Sequence, residues 1–277
     1  MSLSPLSTVL EDAADAGRGL AAFNVILLEH AEAYAAAAEQ TGRPVVMQLS
    51  QNCVRYHGSL RPLALATLAV AEQCDQPVVV HLDHADDLHL IREAVGLGFS
   101  SVMYDGSKLP DAQNRGQTRE VVRLCRAQGV DVEAELGEIG GKDGVHAPGA
   151  RTHPGDATQF VADTGVQALA VAVGTSHAMT DRTAVLDDGL IQRLRSSVPV
   201  PLVLHGSSGV SDAGLVAAVR AGMSKINIAT HLNRAFTEGL TTSQQQHPSS
   251  DPRRFVGAGR EAVTAEAARL LELLSDL

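Results

Sequence analysis

Pro77-Val78-Val79-Val80-His81-Leu82-Asp83-His84 is the stretch that decides the fold. A short, apolar, β-branched run follows the proline, ends in a carboxylate beside an imidazole, and leads directly into a helical pattern. Such a run is typical of a buried strand in a parallel sheet. Parallel sheets and α/β barrels place their chemistry at the carboxyl ends of their strands. We therefore expect Asp83 and His84 to lie at a functional site.

Two later apolar runs also finish on histidine. Residues 168–176 precede His177, and residues 201–204 precede His205. Imidazoles from three strand ends predict one metal site assembled from distant parts of the chain, and nitrogen-rich donors favour zinc. A single histidine is more often a hydrogen-bonded core or surface residue, and we assign to that class His30, His57, His89 and His247.

The run of strand and helix patterns predicts the fold class. About eight strand–helix units follow one another with no linker or break in composition. This alternation predicts an α/β fold with a parallel sheet, and eight units in one domain predict closure into a (β/α)8 TIM barrel. We expect a single domain over residues 1–277, with extra C-terminal helices from Leu232 to Gln244 and from Arg260 to Leu274 around a polar loop. An open, doubly wound sheet is the alternative.

A barrel would bring the polar residues at its strand ends to one rim. Those residues are Asn24, Ser50, Asp83, His84, Asp105, Glu135, His177, His205, Gly206, Asn227 and Thr230. Because side chains alternate along a regular strand, Asp83 and His84 should face opposite sides. Asp83 is then either a hydrogen-bond partner of a metal ligand or a group that exchanges a proton with a substrate. Gly206-Ser207-Ser208-Gly209 and Asn227-Ile228-Ala229-Thr230 fall where barrels bind phosphate.

Composition excludes several classes of function. The net charge is −10 and aromatic residues make up 3% of the chain, which argues against a nucleic-acid surface. No apolar stretch approaches the ~20 residues of a membrane helix, and the first residues lack a secretory pattern. Cys53, Cys74 and Cys125 show no zinc-knuckle spacing and are expected to be buried, reduced thiols. These features predict a soluble, cytoplasmic protein that binds neither nucleic acid nor membrane.

The chain resembles the class II, metal-dependent ketose-bisphosphate aldolases, which include the fructose- and tagatose-bisphosphate enzymes. The resemblance extends in order over nearly the whole chain and rests on Ala22-Phe23-Asn24-Val25, His81-Leu82-Asp83-His84, Gly98 to Ser107, Val132 to Gly137, Leu169 to Gly174, Pro201 to Gly206, Lys225 to Thr230 and Asp251-Pro252-Arg253.

The resemblance implies roles for the residues at the strand ends. It implies a zinc ion held by His84, His177 and His205, with Asp105 and Glu135 as alternative or second metal ligands. It also implies that Asp83 exchanges a proton with the substrate hydroxyl at the bond being cleaved.

The resemblance also implies how a sugar phosphate is held. The segments that would bind dihydroxyacetone phosphate, with a monovalent cation (Na⁺ or K⁺) nearby, are Gly206, Ser207 and Ser208 together with Asn227, Ile228, Ala229 and Thr230. Asn24, Ser50 and Arg253 match positions that hold the other end of the substrate. In relatives the arginine crosses a dimer interface, which implies a homo-oligomer, either a homodimer or a homotetramer.

Three positions depart from the family's pattern. The residue after His177, a glycine in the family, is Ala178, which keeps a backbone N–H for phosphate but narrows that site. The loop after strand seven starts Gly206-Ser207 in place of Gly-Gly. The loop after strand five is one residue shorter, and it offers Asp143 where relatives have a glutamate that moves the substrate's carbon-bound proton. We predict that Asp143 partly fills that role.

These observations predict a zinc aldolase that reversibly cleaves a ketose 1,6-bisphosphate, fructose or tagatose, to dihydroxyacetone phosphate and glyceraldehyde 3-phosphate. A Schiff-base route would need a strand-end lysine in the pocket, and Lys108, Lys142 and Lys225 are not suitably placed. One alternative is a sugar-phosphate-binding barrel without catalysis, serving as a regulatory or partner subunit of a tagatose-type aldolase. The other is a metal-dependent hydrolase, a class that usually carries a His-x-His pair missing from this sequence.

Overall fold

The computed structural model describes residues 3–136, 151–175 and 182–277. Eight parallel strands close into a barrel in chain order, with the first strand paired to the eighth. The strands are β1 Leu20–Asn24, β2 Val45–Ser50, β3 Val78–Ala85, β4 Ser101–Tyr104, β5 Asp131–Glu135, β6 Ala168–Ala170, β7 Leu202–Leu204 and β8 Met223–Ile228. The predicted (β/α)8 TIM barrel is confirmed.

Helices surround the barrel, and the first of them packs across its amino-terminal end. They are α1 Leu6–Asp15, α2 Leu28–Thr41, α3 Gln51–His57, α4 Arg61–Gln73, α5 Leu88–Leu97, α6 Asp111–Arg126, α7 Pro154–Thr164, α8 Asp188–Ser197, α9 Asp212–Ala221, α10 Thr230–Gln246 and α11 Pro252–Ser275. Their ends follow ordinary capping chemistry. In α2, for example, Gly42 adopts a left-handed conformation directly after the last turn.

Side chains fill the barrel interior in layers, which is how such barrels form a packed core. The amino-terminal layer is apolar: Leu20, Ala22, Val46, Val79 and Val203 pack against the buried face of α1. A strand returns to the same face every second residue, so the next inward positions lie two residues further along each strand. Polar side chains occupy most of these positions. The apolar layer therefore closes one end of the barrel and leaves the polar residues toward the carboxyl end.

The last helix begins earlier than the sequence pattern indicated. The polar loop was predicted to reach Pro252, with a helix from Arg260, but α11 starts at Pro252. The Asp251 carboxylate accepts a hydrogen bond from the backbone N–H of Arg253 and so caps the first turn. Gly257 and Gly259 lower the helix propensity of this stretch, and packing against α10 overcomes that preference.

The three cysteines lie in the hydrophobic core. Cys53, Cys74 and Cys125 are buried free thiols. Burial raises the pKa of Cys53 to about 11 and that of Cys125 to about 12, so both thiols stay protonated near neutral pH. Among the described residues, no helix is long and apolar enough to cross a membrane.

Candidate active site

A cavity of about 360 Å³ opens at the carboxyl ends of the strands. The predicted site residues that line it are Asn24, Ser50, Asp83, His84, Asp105, Gly206, Ser208, Asn227, Ala229 and Thr230. A larger open groove of about 870 Å³ lies between α10 and α11 and contains none of the predicted metal ligands. The structure thus gathers residues from six strand ends at one mouth, as the barrel topology requires.

β3 carries an extra residue that brings Asp83 and His84 to the same cavity. Its pairing with β4 shifts between Leu82 and Ala85. His84 adopts a φ of +48°, a conformation that non-glycine residues rarely use and that recurs at functional sites. Both side chains line the cavity. The expectation that they face opposite sides is therefore wrong, because the bulge interrupts the alternation.

Three of the predicted metal ligands form a cluster below the mouth. One donor atom each from His84, Glu135 and His205 lies within 4.8 Å of the others. The Nδ1 atom of His205 is 3.5 Å from the Oε2 atom of Glu135, and the two imidazole ring centres are 4.7 Å apart. Two imidazoles and a carboxylate form a donor set that suits zinc. His84 joins the cluster from the strained bulge, Glu135 stands at the end of β5, and His205 follows β7, with β6 between those two strands.

Asp105 contacts the cluster through His84. Its Oδ2 atom accepts a hydrogen bond from the Nδ1 atom of His84 at 2.9 Å, and its Oδ1 atom accepts from the Ser107 hydroxyl at 2.6 Å. Burial raises the pKa of the Asp105 carboxyl, but the hydrogen bond and charge of His84 outweigh burial and hold it well below the usual range. The structure therefore places Asp105 as a fixed anion that orients the His84 ring.

The carboxylates around the cluster raise the pKa values of its imidazoles. Burial lowers the pKa of His205, but hydrogen bonds to Glu133 and Glu135 outweigh it and raise that pKa to about 10. For His84, burial also opposes the charged form, and Asp83 with Asp105 shifts the pKa upward. The site is thus rich in negative charge, which favours a bound cation.

Asp83 is a buried and ionised carboxylate. Burial alone would raise its pKa, but the neighbouring His84 and His205 shift it below the ordinary value. Its Oδ2 atom accepts a hydrogen bond from Asn24 Nδ2 at 3.1 Å. Its Oδ1 atom has no hydrogen-bond partner among the described residues, although it is buried. A buried oxygen of this kind is costly unless a ligand satisfies it, so Asp83 has an acceptor available at the cavity.

The loops that follow β7 and β8 both line this cavity. Gly206 adopts a left-handed φ of +67° and leads into a short 3₁₀ turn over residues 207–209. The Ser208 hydroxyl accepts hydrogen bonds from the backbone N–H groups of Ala229 (3.3 Å) and His231 (3.2 Å), which ties this turn to the start of α10. The N-terminus of α10 thus opens beside the cavity, where its dipole favours an anion.

The opposite side of the mouth carries two cations. α3 directly follows β2, and Ser50 caps it by accepting a hydrogen bond from the backbone N–H of Cys53. This short helix, which the sequence reading missed, presents Arg55 to the cavity. Lys108 reaches the same cavity from the loop after β4. Because β2 and β4 flank β3, and β3 lies across the eight-stranded ring from β7, both cations enter the cavity from the side opposite the loop after β7.

Several predicted site residues are not at the cavity or cannot be placed. Ser207 is buried and donates its hydroxyl hydrogen to the backbone carbonyl of Leu204, and Ile228 is a buried core residue. Arg253 is exposed at the start of α11, where it pairs with Asp251 and does not line the cavity of its own chain. Outside the described residues lie Asp143, His177 and Ala178.

The sequence reading missed a polar network directly beneath the mouth. Lys225 is fully buried and contacts Glu133 and Gln48. His81 is also fully buried and contacts the Ser101 hydroxyl at 2.9 Å. A signal was present: Glu133 stands two residues before Glu135, and Lys225 two residues before Asn227. Because residues two apart on a strand share a face, Glu133 and Lys225 point inward as Glu135 and Asn227 do, one layer deeper in the barrel.

A closed βα barrel with imidazoles, carboxylates and a helix N-terminus at its mouth has the features of a metal-dependent enzyme that handles anionic substrates. A sequence model described as fructose-bisphosphate aldolase class-II matches residues 4–276. The chain therefore belongs to the class II fructose-bisphosphate aldolase family. Membership of this family implies a lyase activity, and its members are generally zinc-dependent.

Solved structures agree with this assignment. The YdjI aldolase from Escherichia coli K12 is 30% identical, with a TM-score of 0.85 over 98% of this chain and 97% of that one. A protein described as a putative fructose-1,6-biphosphate aldolase from Coccidioides immitis is 30% identical, with a TM-score of 0.84 over 97% and 95%. A fructose-bisphosphate aldolase from Campylobacter jejuni is 22% identical, with a TM-score of 0.83 over 99% and 95%, and supports the fold alone.

Proposed function

We propose that this chain is a zinc-dependent aldolase that reversibly cleaves fructose or tagatose 1,6-bisphosphate to dihydroxyacetone phosphate and glyceraldehyde 3-phosphate. One observation carries the proposal. The buried, ionised Asp83 shares its cavity with His84, a member of the cluster that also contains Glu135 and His205. A metal site and a proton acceptor at one mouth are the two parts that metal-assisted carbon–carbon cleavage needs.

Zinc fits the donor atoms present. His84, Glu135 and His205 would hold it, since imidazole nitrogen and carboxylate oxygen are both ordinary zinc ligands. His177 and Asp105 stay predicted ligands. When bound, zinc would supply a Lewis acid for the ketone oxygen of the substrate.

Asp83 is proposed to move the proton of the substrate hydroxyl. Its lowered pKa keeps it ionised near neutral pH, so it can accept a proton during cleavage and return it during condensation. The amide of Asn24 fixes the Oδ2 atom, which leaves the Oδ1 atom for the substrate. Removal of that proton lets the carbon that bears the hydroxyl become the aldehyde of the departing product.

The two sides of the mouth match the two phosphates of a ketose bisphosphate. Backbone N–H groups near Gly206 and Ala229 are proposed to bind the dihydroxyacetone phosphate end, with Ser208 and Thr230 hydroxyls and a Na⁺ or K⁺ ion. Asn24 and Ser50 are proposed to contact the other end. The cations Arg55 and Lys108 line that opposite side of the cavity and support a substrate with a second anionic group.

Further parts of the proposal depend on other segments or other copies of the chain. Arg253 is exposed, which agrees with a role at the site of a neighbouring subunit in a homodimer or homotetramer. Asp143, on the loop after β5, is proposed to exchange the carbon-bound proton of dihydroxyacetone phosphate, and Ala178 to contact phosphate. A cytoplasmic location stays a prediction.

Metal analysis combined with a cleavage assay tests the proposed function. The purified chain should contain zinc, cleave fructose or tagatose 1,6-bisphosphate, lose activity with a chelator and regain it with Zn²⁺. Activity that resists removal of the metal would contradict the mechanism. Bound metal without turnover of either sugar would instead favour a barrel that serves as a binding or partner subunit.

A further inference from the structure

Lys225 is a buried cation that the proposed chemistry does not use. Its side chain is 0% exposed in the barrel interior, one layer below the mouth. Its Nζ atom donates to Glu133 Oε2 at 2.8 Å and to Gln48 Oε1 at 3.4 Å. Burying an ammonium group is expensive unless its hydrogen bonds are well made. The two contacts begin two separate chains of hydrogen bonds, and both end at the proposed active site.

The first chain of hydrogen bonds reaches the metal cluster. The carboxylate of Glu133 takes a hydrogen bond from Lys225 on one oxygen, and its Oε1 atom accepts from His205 Nε2 at 3.0 Å. This contact keeps a proton on the Nε2 atom of His205. The Nδ1 atom, which lies 3.5 Å from Glu135, is thereby the nitrogen that can donate its lone pair to a metal.

The second chain of hydrogen bonds reaches the proposed base. Gln48 Nε2 donates to Asn24 Oδ1 at 2.9 Å, and Asn24 Nδ2 donates to Asp83 Oδ2 at 3.1 Å. An ammonium can only donate, so Lys225 requires the carbonyl oxygen of Gln48 to face it. The amide direction of Gln48 then fixes that of Asn24. As a result the Asn24 amide presents its N–H group to the Asp83 carboxylate. In the flipped orientation it would present its oxygen instead.

We propose that Lys225 is a positioning residue that fixes the hydrogen-bond direction of both chains, and so aligns His205 for metal binding and Asp83 for proton transfer. Glu133 and Gln48 are the connecting residues. This inference rests on the function proposed above, since it concerns the same mouth of the barrel. It assigns a role to the interior layer that lies between the apolar core and the active site.

Metal affinity measures the first chain of hydrogen bonds without any substrate. Zn²⁺ dissociation constants are determined by competition with a chromogenic chelator for wild type, E133Q and the double variant E133Q/K225M, which removes both buried charges together. We expect both variants to bind Zn²⁺ about 10- to 100-fold more weakly, as for other groups that orient a ligating histidine. The absorption spectrum of bound Co²⁺ should also change, because the donor atoms are repositioned.

S101A is the matched control. Ser101 lies in the same buried layer and contacts His81 rather than His205. Loss of the Ser101 hydroxyl should change the Zn²⁺ dissociation constant by less than about threefold. Circular dichroism of the metal-free proteins verifies folding. A purely structural role for the charges would lower the melting temperature while leaving the affinity and the Co²⁺ spectrum unchanged, and that result would overturn the inference.

Steady-state kinetics measure the second chain of hydrogen bonds. K225M should lower kcat about tenfold and leave KM within about twofold, because a misaligned base affects the reaction more than substrate binding. Wild-type kcat and wild-type Zn²⁺ affinity in folded K225M and E133Q/K225M would refute the proposed role.

The measurements separate the inference from the proposed function. In one case the wild-type chain cleaves neither ketose bisphosphate, but E133Q/K225M binds Zn²⁺ more weakly than wild type. That result would support the role of Lys225 and Glu133 and contradict the proposed substrate. If the wild-type chain is an active aldolase and E133Q/K225M binds Zn²⁺ as tightly as wild type, the proposed function is supported and the role of Lys225 and Glu133 is contradicted. A wild-type chain that binds neither Zn²⁺ nor Co²⁺ would overturn both.

Discussion

His84 shows how one backbone conformation shapes the candidate site. Its φ of +48° and the shifted pairing of β3 with β4 turn two adjacent side chains toward one cavity. Strain of this kind costs on the order of 1–3 kcal/mol and persists where the surrounding structure enforces it. The sequence pattern identified Asp83 and His84 but predicted opposite faces for them, since a bulge has no clear signature in an apolar run that ends in polar residues.

Replacement of Asp83 tests the proposed proton acceptor. D83N keeps the shape of the side chain and removes the charge that accepts a proton. We expect kcat to fall about 10²- to 10⁴-fold, the usual contribution of a positioned acid or base. Zinc content should stay at the wild-type level, because Asp83 is not among the clustered donors. D75N, at an exposed carboxylate, is the control. Loss of zinc in D83N would indicate a metal-binding role instead.

Arg55 tests recognition of the second phosphate. R55M should lower kcat/KM about tenfold for a ketose 1,6-bisphosphate, as expected for one hydrogen bond to a charged group. For a ketose 1-phosphate, which lacks the second phosphate, the change should stay within about twofold. R61M, at an exposed arginine in the first turn of α4, should behave like wild type. Equal losses on both substrates would contradict the assignment of Arg55 to the distal phosphate.

The helices α10 and α11 pack through glycines, and this contact explains where the sequence pattern misled. Gly259 is buried, and a Cβ atom there would lie 3.0 Å from the Phe236 side chain. The glycines near the start of α11 lower helix propensity, so the pattern predicted a loop there. Long-range packing cannot be inferred from local propensity, and for that reason the start of α11 was predicted at Arg260 rather than at Pro252.

Two glycine substitutions on this helix pair should have opposite effects. A Cβ atom at Gly239 would lie 2.8 Å from the backbone oxygen of Ala258, whereas one at Gly257 meets no atom within 4 Å. G239A should lower the free energy of unfolding by about 1–3 kcal/mol through overpacking. G257A should raise it by up to about 1 kcal/mol through helix propensity. Urea unfolding at neutral pH measures both, and stabilisation by G239A would show that the helices can separate without cost.

At the scale of the whole molecule, the barrel was the most predictable feature. Regular alternation of apolar strands with helices specifies the topology, and strand ends specify which rim carries Asn24, His84 and Asn227. The interior layer below that rim was not recognised. A single buried charge such as Lys225 or Glu133 is unfavourable in a core, and only closure of the barrel brings their opposite charges together. Pairing between distant strands is a property of the folded molecule.

Global stability should depend on pH through His30. The ring centre of this buried imidazole lies 4.8 Å from that of Phe236, and its Nδ1 atom accepts a hydrogen bond from the backbone N–H of Leu27. Burial lowers its pKa to about 4. The unfolded chain, with an ordinary pKa near 6.5, therefore binds more protons between these values. This contribution to stability is complete above about pH 6.5 and is lost as the pH falls, by about 2 kcal/mol from pH 7 to pH 5.

Urea unfolding at pH 7 and pH 5 measures that dependence. H30F keeps an aromatic ring at the position and removes the titrating group, so its stability should fall about 2 kcal/mol less than that of wild type over this interval. H89N, which changes an exposed histidine, should follow wild type. The same pH dependence in H30F and wild type would exclude His30 as the source.

The pairing of β1 with β8 has a consequence for biosynthesis. The strand that completes the ring, Met223–Ile228, emerges from the ribosome only after four-fifths of the protein has been made. Until then β1 and β7 each expose an unpaired edge, which is a template for aggregation. Lys225 and Asn227 lie on that same strand, so the step that closes the barrel also brings these two residues to the candidate site.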